Sequence, residues 1–180
     1  MFLVYILLQF AFVIVPASVI FEDCGSAYEL KAVNIDGCNK QLPCYVTLGE
    51  DVPVSLEFYA DFQSRNLDQD VVININHINL PTHVIPERCD IYDCPVTTAT
   101  DTVTSFNSVM SVPSSIALNQ RGFLRWRIEN EEGMQVLCYS VMVQTQSRLQ
   151  KLLRQYMEAI PATREHQPRQ YSTLKRRLIF

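Results

Sequence analysis

Six cysteines carry the most definite chemistry in this sequence of 180 residues: Cys24, Cys38, Cys44, Cys89, Cys94 and Cys138. Cys38 lies close to Cys44 in the chain, and Cys89 lies close to Cys94, so each pair can close a small loop. The remaining two would then join the start of a domain to its end. Proximity favours this pairing without excluding others. A metal site is the competing interpretation, but C-x-x-C spacing and an H-x-x-x-H cluster are both missing, so we assign no metal ligand.

Residue types that could carry catalysis are scattered. The histidines are His77, which the pattern places in a strand, His83 among loop residues, and His166 near the C-terminus. The sequence contains no G-x-S-x-G nucleophile motif and no phosphate-binding glycine loop, and only five glycines in all. We therefore expect no enzyme activity, no catalytic residue and no cofactor.

The N-terminal segment is typical of a secretory signal peptide. Residues 1–15 contain no charged side chain, and Pro16 and Ala17 follow, with suitable residues for cleavage after Ala17. The apolar run is short for a membrane span, although a retained signal anchor is the alternative. We expect a secreted protein, in an extracellular or endolysosomal fluid. Disulfides form and persist in such oxidising compartments.

Charge divides the chain into an acidic body and a basic tail. The net charge is −4, and apolar residues make up 48% of the sequence against 19% charged, so a buried core is expected and nucleic acid is not an expected partner. From residue 145 onward, eight basic residues stand against two acidic ones. The preceding part is therefore strongly acidic.

Apolar and polar residues alternate in several segments, which is the pattern of half-buried β-strands. The clearest segments are Asp51–Asp61, Val71–Asn79, Gly122–Asn130 and Leu137–Val143, with weaker ones near Glu29–Ile35 and Thr102–Met110. Glu131-Glu132-Gly133 forms a turn between the last two clear strands. The sequence thus predicts an all-β domain of two antiparallel sheets packed face to face, with no helix before Gln144.

The cysteines and their neighbours resemble a known family. The segments that carry the resemblance are Phe21-Glu22-Asp23-Cys24-Gly25-Ser26, Gly37-Cys38, Pro43-Cys44, Cys89, Cys94-Pro95 and Leu137-Cys138. They look like the MD-2-related lipid-recognition (ML) family, most of all its Niemann-Pick type C-2 (epididymal secretory protein) sterol-transfer branch. The resemblance implies disulfides Cys24–Cys138, Cys38–Cys44 and Cys89–Cys94. It also implies an immunoglobulin-like β-sandwich with an apolar cavity between its sheets.

Candidate lipid-lining residues come from the inner faces of the strands and from one apolar loop. The strand candidates are Leu56, Phe58, Ile73, Ile75, Phe106, Leu124, Trp126, Tyr139 and Val141, and the loop candidates are Met110, Val112 and Ile116. We expect the loop candidates to face solvent as a gate or docking patch. Simple core packing is the alternative for the strand set. Thr82 and His83 stand where relatives carry an aromatic gate, which makes an apolar lipid a safer expectation than a sterol.

The C-terminal region extends beyond the resemblance. Apolar residues recur at helical spacing from Ser147 to Ile160, and Pro161 stops the pattern. The expected organisation is a signal peptide at 1–17, a lipid-binding domain at 18–144, an amphipathic helix at 145–160 and a basic, disordered tail at 161–180. The helix could pack on its own domain or contact an anionic membrane or another partner, and the basic cluster at its end could be a processing site.

Two functions follow from the sequence. The first is a secreted lipid-binding and lipid-transfer protein that carries a sterol, fatty acid or similar apolar lipid between its sheets, with transient membrane or receptor contact. The second is an innate-immune or signalling module that binds microbial lipid or a receptor.

Overall fold

The computed structural model describes residues 18–38, 41–86 and 97–159. In these ranges the chain forms ten strands and one helix. Their bounds are β1 Glu22–Asp23, β2 Glu29–Ile35, β3 Cys44–Thr47, β4 Asp51–Ala60, β5 Leu67–Ile75, β6 Ile78–Pro81, β7 His83–Ile85, β8 Thr102–Ser111, β9 Arg121–Asn130, β10 Gln135–Gln146 and α1 Arg148–Ala159. The expected signal peptide at 1–17, the expected Cys89–Cys94 disulfide and the expected tail at 161–180 lie outside the described residues.

The strands form the two packed sheets that the alternation predicted. Sheet 1 has the order β1-β10-β9-β5-β6, and sheet 2 has the order β2-β4-β8-β7. The neighbours in both orders are antiparallel, while β3 pairs in parallel with the last residues of β10 and so shares an edge with β1. The prediction of an all-β sandwich with a short C-terminal helix is confirmed.

Period-two alternation decides which face of each strand enters the core. In β4, the side chains of Val52, Val54, Leu56 and Phe58 are buried, while their neighbours are exposed or partly exposed. The same rule buries every second residue of β9 from Leu124 onward, and it buries the predicted inner residues of β5 and β10. The core is therefore the apolar layer between the two sheets.

Two histidine placements from the sequence were wrong. His77 lies outside any strand, because Asn76 and His77 adopt positive φ angles of 52° and 65° and form the tight turn between β5 and β6. Two consecutive positive φ angles are typical of the two-residue hairpin turn whose twist matches antiparallel strands. His83 begins β7, which pairs with the end of β8, so it is a strand residue.

Two disulfides join the positions that the family resemblance implied. Cys24 is bonded to Cys138 and fastens the short strand β1 to β10. Cys38 is bonded to Cys44 and closes the loop between β2 and β3. The described residues contain no free cysteine. The first bridge closes by far the longer loop, with a sequence separation of 114 residues against 6.

Candidate functional site

The twelve side chains that the sequence nominated as lipid-lining are all buried. Sheet 1 contributes Ile73, Ile75, Leu124, Trp126, Tyr139 and Val141, and sheet 2 contributes Leu56, Phe58, Phe106 and Met110, while Val112 and Ile116 follow β8. The strand candidates therefore converge on one layer between the sheets. Whether they touch a lipid stays a prediction.

The expectation of a solvent-facing gate at Met110, Val112 and Ile116 was wrong. Their exposed fractions are 0%, 3% and 7%. Met110 takes an inner position of β8 by alternation. The Val112 N–H donates to the carbonyl of Glu50, and the Val112 carbonyl accepts from the N–H of Gly49, both at 3.0 Å. These bonds fold the segment after β8 over the turn between β3 and β4 and bury its apolar side chains.

An aromatic pair lies on the inner face of sheet 1. Trp126 on β9 is in register with Val71 on β5 and with Tyr139 on β10. The Trp126 and Tyr139 rings are nearly parallel, with centroids 6.0 Å apart and an angle of 12° between their planes. Phe21 approaches the Tyr139 ring edge-on, with centroids 6.4 Å apart. The row beside this one is aliphatic and consists of Ile73, Leu124 and Val141.

Both aromatic residues bring a polar atom into this apolar layer. The indole Nε1 of Trp126 and the hydroxyl of Tyr139 are fully buried, and neither has a hydrogen-bond partner among the described residues. Thr82 adds a third such atom, its Oγ1. The Thr82 N–H donates to the carbonyl of Val71 at 2.9 Å, which places Thr82 at the end of the same register row. Three unpartnered polar groups thus belong to one line across sheet 1.

These groups have unused hydrogen-bonding capacity. Burial raises the pKa of Tyr139 well above its ordinary value, so the hydroxyl stays protonated and can donate a hydrogen bond. The indole N–H of Trp126 can only donate. A buried polar group without a partner destabilises the protein by about 1–3 kcal/mol, so an oxygen that reached this row would relieve an existing cost.

Sequence reasoning nominated Trp126 and Tyr139 but did not anticipate that their polar atoms would be buried without a partner among the described residues. Both were nominated for apolar area, and Thr82 was noted only as standing where relatives carry an aromatic gate. The available signal was the register: a Trp and a Tyr, each at an inner position of its strand, on strands joined by a short turn. Whether the polar atoms of Trp126 and Tyr139 find partners depends on the residues of the opposite sheet, and alternation within one strand does not indicate these.

A family model described as the ML domain matches residues 18–145. The chain belongs to the ML family. The resemblance noted in the sequence is thereby confirmed, and ML proteins are lipid-binding and non-enzymatic. Among solved structures, the Niemann-Pick type C2 protein from the Japanese carpenter ant has the same fold, with a TM-score of 0.59 at 18% identity over 71% of this chain and 99% of that chain. The C-terminal domain of wzt is more distant, with a TM-score of 0.48 at 10% identity over 71% and 78%. A search of curated proteins finds no match.

Two sizeable concavities lie on the outside of the ML domain. One, of about 780 Å³, is open and lies across sheet 2, where Pro53, Ser55 and Val109 are among its lining residues. The other, of about 590 Å³, lies on sheet 1 around Phe123 and Arg125 and is richer in polar groups. Within the described residues, no group of three histidine, cysteine or acidic side chains could hold a metal ion. No helix in that part is long and apolar enough to cross a membrane.

Hydrogen bonds join the two sheets of the ML domain at its edges. The Ser108 hydroxyl on β8 lies 3.0 Å from Oε1 of Gln69 on β5, and the Tyr28 N–H donates to the carbonyl of Val136 on β10 at 2.9 Å. The inner apolar residues meet through side-chain packing, which is not directional. Separation of the sheets would therefore disrupt this packing and these hydrogen bonds, but no strand ladder.

Proposed function

We propose that this ML domain binds a lipid between its two sheets and fixes the polar end of that lipid with Trp126 and Tyr139. The observation that carries the proposal is the row of buried, unpartnered polar atoms inside an otherwise apolar layer. A packed core with no ligand would be more stable with phenylalanine at position 139. A core that accommodates a lipid bearing one oxygen-containing group has a use for these donors.

The energetics of binding favour such a ligand. Transfer of lipid surface from water into the layer contributes about 25 cal/mol per Å² of apolar area. Part of that gain is offset by the association entropy and by the separation of Leu56 and Phe106 on sheet 2 from their partners on sheet 1. Hydrogen bonds to the donors add to the gain, because these groups have no partner to lose among the described residues.

The donors also define the ligand class. Trp126 needs an acceptor, and Tyr139 can supply a second hydrogen bond to the same oxygen-bearing group. A fatty-acid carboxyl and a sterol hydroxyl both meet this requirement, whereas a pure hydrocarbon does not. We propose a carrier of sterol or fatty acid, in line with the sterol-transfer branch that the cysteine pattern resembles.

We further propose that the protein is secreted and acts in an extracellular or endolysosomal fluid. The disulfides and the N-terminal apolar segment support this. A mildly acidic fluid is compatible with the two carboxylates whose pKa values are lowered. Burial alone would raise the pKa of Asp23, but the N–H groups of Ser26 and Gly25 donate to its carboxylate at 2.9 and 2.7 Å and lower its pKa overall. Hydrogen bonding likewise lowers the pKa of Glu131, so both carboxylates stay charged in mild acid.

Photoaffinity labelling tests where a lipid binds. Delipidated protein is incubated with a photoreactive fatty acid and, separately, a photoreactive sterol, and the labelled peptides are identified by mass spectrometry. We expect saturable labelling of β9 and β10, together with a change in the fluorescence of Trp126, the single tryptophan of the chain. Labels on Pro53 and Val109 instead would assign the lipid to the outer concavity. An absence of saturable labelling with both probes would refute lipid carriage and favour the recognition function.

A further inference from the structure

Helix α1 begins with a reciprocal cap and packs on the domain through its polar side. The Gln150 N–H donates to the Ser147 hydroxyl at 3.2 Å, and the Ser147 N–H donates to Oε1 of Gln150 at 2.7 Å. This is the capping-box arrangement that fixes where a helix begins. The amide of Gln150 also donates to Oδ1 of Asn119 at 2.9 Å. The first turn is therefore attached to the sandwich.

Charged contacts hold the next turns in the same orientation. The ammonium group of Lys151 lies 2.5 Å from a carboxylate oxygen of Glu50, and Arg148 lies 3.7 Å from the other. The guanidinium of Arg154 stacks over the Tyr45 ring, 4.2 Å from its centroid, a cation–π contact. The basic side of α1 thus faces the domain.

The apolar side of α1 consequently faces solvent. Its residues stand at i, i+3, i+4, i+7 and i+8 and form one continuous stripe: Leu149, Leu152, Leu153, Tyr156 and Met157. Their exposed fractions lie between 55% and 68%, and the helix has no buried residue. A surface helix ordinarily turns such a stripe toward its own core. In α1 the contacts of the polar side hold that side against the domain, so the apolar stripe faces solvent.

The charge of this region indicates what covers the stripe. From Thr145 to the C-terminus, eight basic residues stand against two acidic ones, and the chain continues for 21 residues beyond Ala159. Lys151 and Arg154 are held by the domain, but Arg148 is 74% exposed and the five other basic residues follow α1 in the sequence. A segment with these cations and an exposed leucine-rich stripe is complementary to a bilayer surface that carries negative headgroups over an apolar interior. We infer that α1 is a membrane-docking helix that inserts its apolar stripe into the headgroup region of an anionic lipid bilayer.

A second copy of the chain fits the stripe less well. Twelve residues make a helix about 18 Å long, so five side chains supply its whole apolar face, against roughly 20–30 residues a side in a standard stable interface. Two such helices would also bring two basic segments together, and like charges repel. A bilayer needs no matching shape and adds attraction in place of repulsion. This inference does not depend on a lipid between the sheets.

Vesicle flotation tests the inference with the purified full chain. The vesicles contain phosphatidylcholine alone or phosphatidylcholine with phosphatidylserine. We expect binding to the anionic vesicles only, with a decrease as salt is raised, because salt screens attraction to the surface over about 10 Å. A Leu152→Gln/Tyr156→Gln variant is expected to partition at least about tenfold more weakly, since it removes two large side chains from the buried stripe.

The control is Val103→Gln, which replaces a 59% exposed apolar residue of β8, away from the helix. It should bind like the wild type. All three proteins should unfold at the same temperature, because no buried contact changes. Undiminished binding by the double variant, or no binding by the wild type, would overturn the inference. A wild-type dimer in sedimentation that becomes monomeric in the double variant would assign the stripe to a second copy instead.

Discussion

Replacement of Tyr139 by phenylalanine should stabilise the lipid-free protein. The hydroxyl of Tyr139 is fully buried and has no partner among the described residues, so its removal deletes a desolvated polar atom and no observed hydrogen bond. The cost of such an atom is about 1–3 kcal/mol. After allowance for the small void that the change leaves, we expect a gain of about 1 kcal/mol. For a domain of this size the unfolding temperature would rise by about 3–5 °C.

Tyr28→Phe is the matched control, because it makes the same chemical change at an equally buried site. The Tyr28 hydroxyl lies 2.6 Å from the Ser64 hydroxyl, 3.1 Å from the Thr98 hydroxyl and 3.1 Å from the carbonyl of Phe62. Its removal should destabilise the protein by about 1–3 kcal/mol, since these groups lose a partner. Thermal and denaturant unfolding of both delipidated variants measures whether each substitution raises or lowers the free energy of unfolding.

Lipid binding should respond to Tyr139→Phe in the opposite direction. The variant loses a hydrogen bond to the bound lipid, and its lipid-free form no longer carries the unpaired group, so affinity for a fatty acid should fall by roughly tenfold. Affinity for a hydrocarbon of the same length should hardly change. If Tyr139→Phe destabilised the lipid-free protein as much as Tyr28→Phe does, the hydroxyl would have a partner in the native state and the reasoning would be refuted.

Three further predictions concern the scaffold. Replacement of Cys24 and Cys138 by serine should lower the free energy of unfolding in denaturant by about 5 kcal/mol, and replacement of Cys38 and Cys44 by about 2 kcal/mol. The difference is expected because the first bridge closes the longer loop, and equal losses would contradict it. The pKa of Glu131 is lower in the folded protein than in the unfolded chain. The stability that its ionised carboxylate adds is therefore fully present above the unfolded-state pKa, and it is lost as the pH falls through the folded-state pKa. The free energy of unfolding should therefore stay constant from pH 7 to about pH 5 and decline below about pH 4. The Glu131→Gln variant should show a shallower decline. The same decline in the variant and the wild type would contradict this prediction. A chain ending at Gln146 should keep its unfolding temperature and lipid affinity, since α1 has no buried residue, and should lose vesicle binding.

Much of the fold could be predicted because strand geometry is periodic. Alternation alone assigned the inner faces of β4, β9 and β10, and each assignment is confirmed by burial. One error occurred where a turn interrupts the pattern. Asn76 and His77 turn the chain within a predicted strand, although the alternation of apolar and polar residues continues up to Asn76 without a visible break. Local composition cannot decide between a long strand and a hairpin there.

The site was only half predictable for a related reason. The sequence could nominate Trp126 and Tyr139, because their positions follow from the period of their own strands. It could not show that their polar atoms would be unpartnered, nor that Thr82 would join their row through a backbone bond to Val71. Burial of the segment around Val112 was likewise invisible, since it depends on hydrogen bonds to a turn far away in the chain.

Short-range periodicity and cysteine context can be read from the sequence, and they predict the β architecture, the inner faces, the family and the amphipathic character of the last helix. The direction in which that helix faces follows from long-range packing alone. Its stripe would suit a core equally well, but Glu50 and Tyr45, distant in sequence, hold its basic side against the domain. Orientation depends on contacts between distant residues, and no pattern within a single helix contains them.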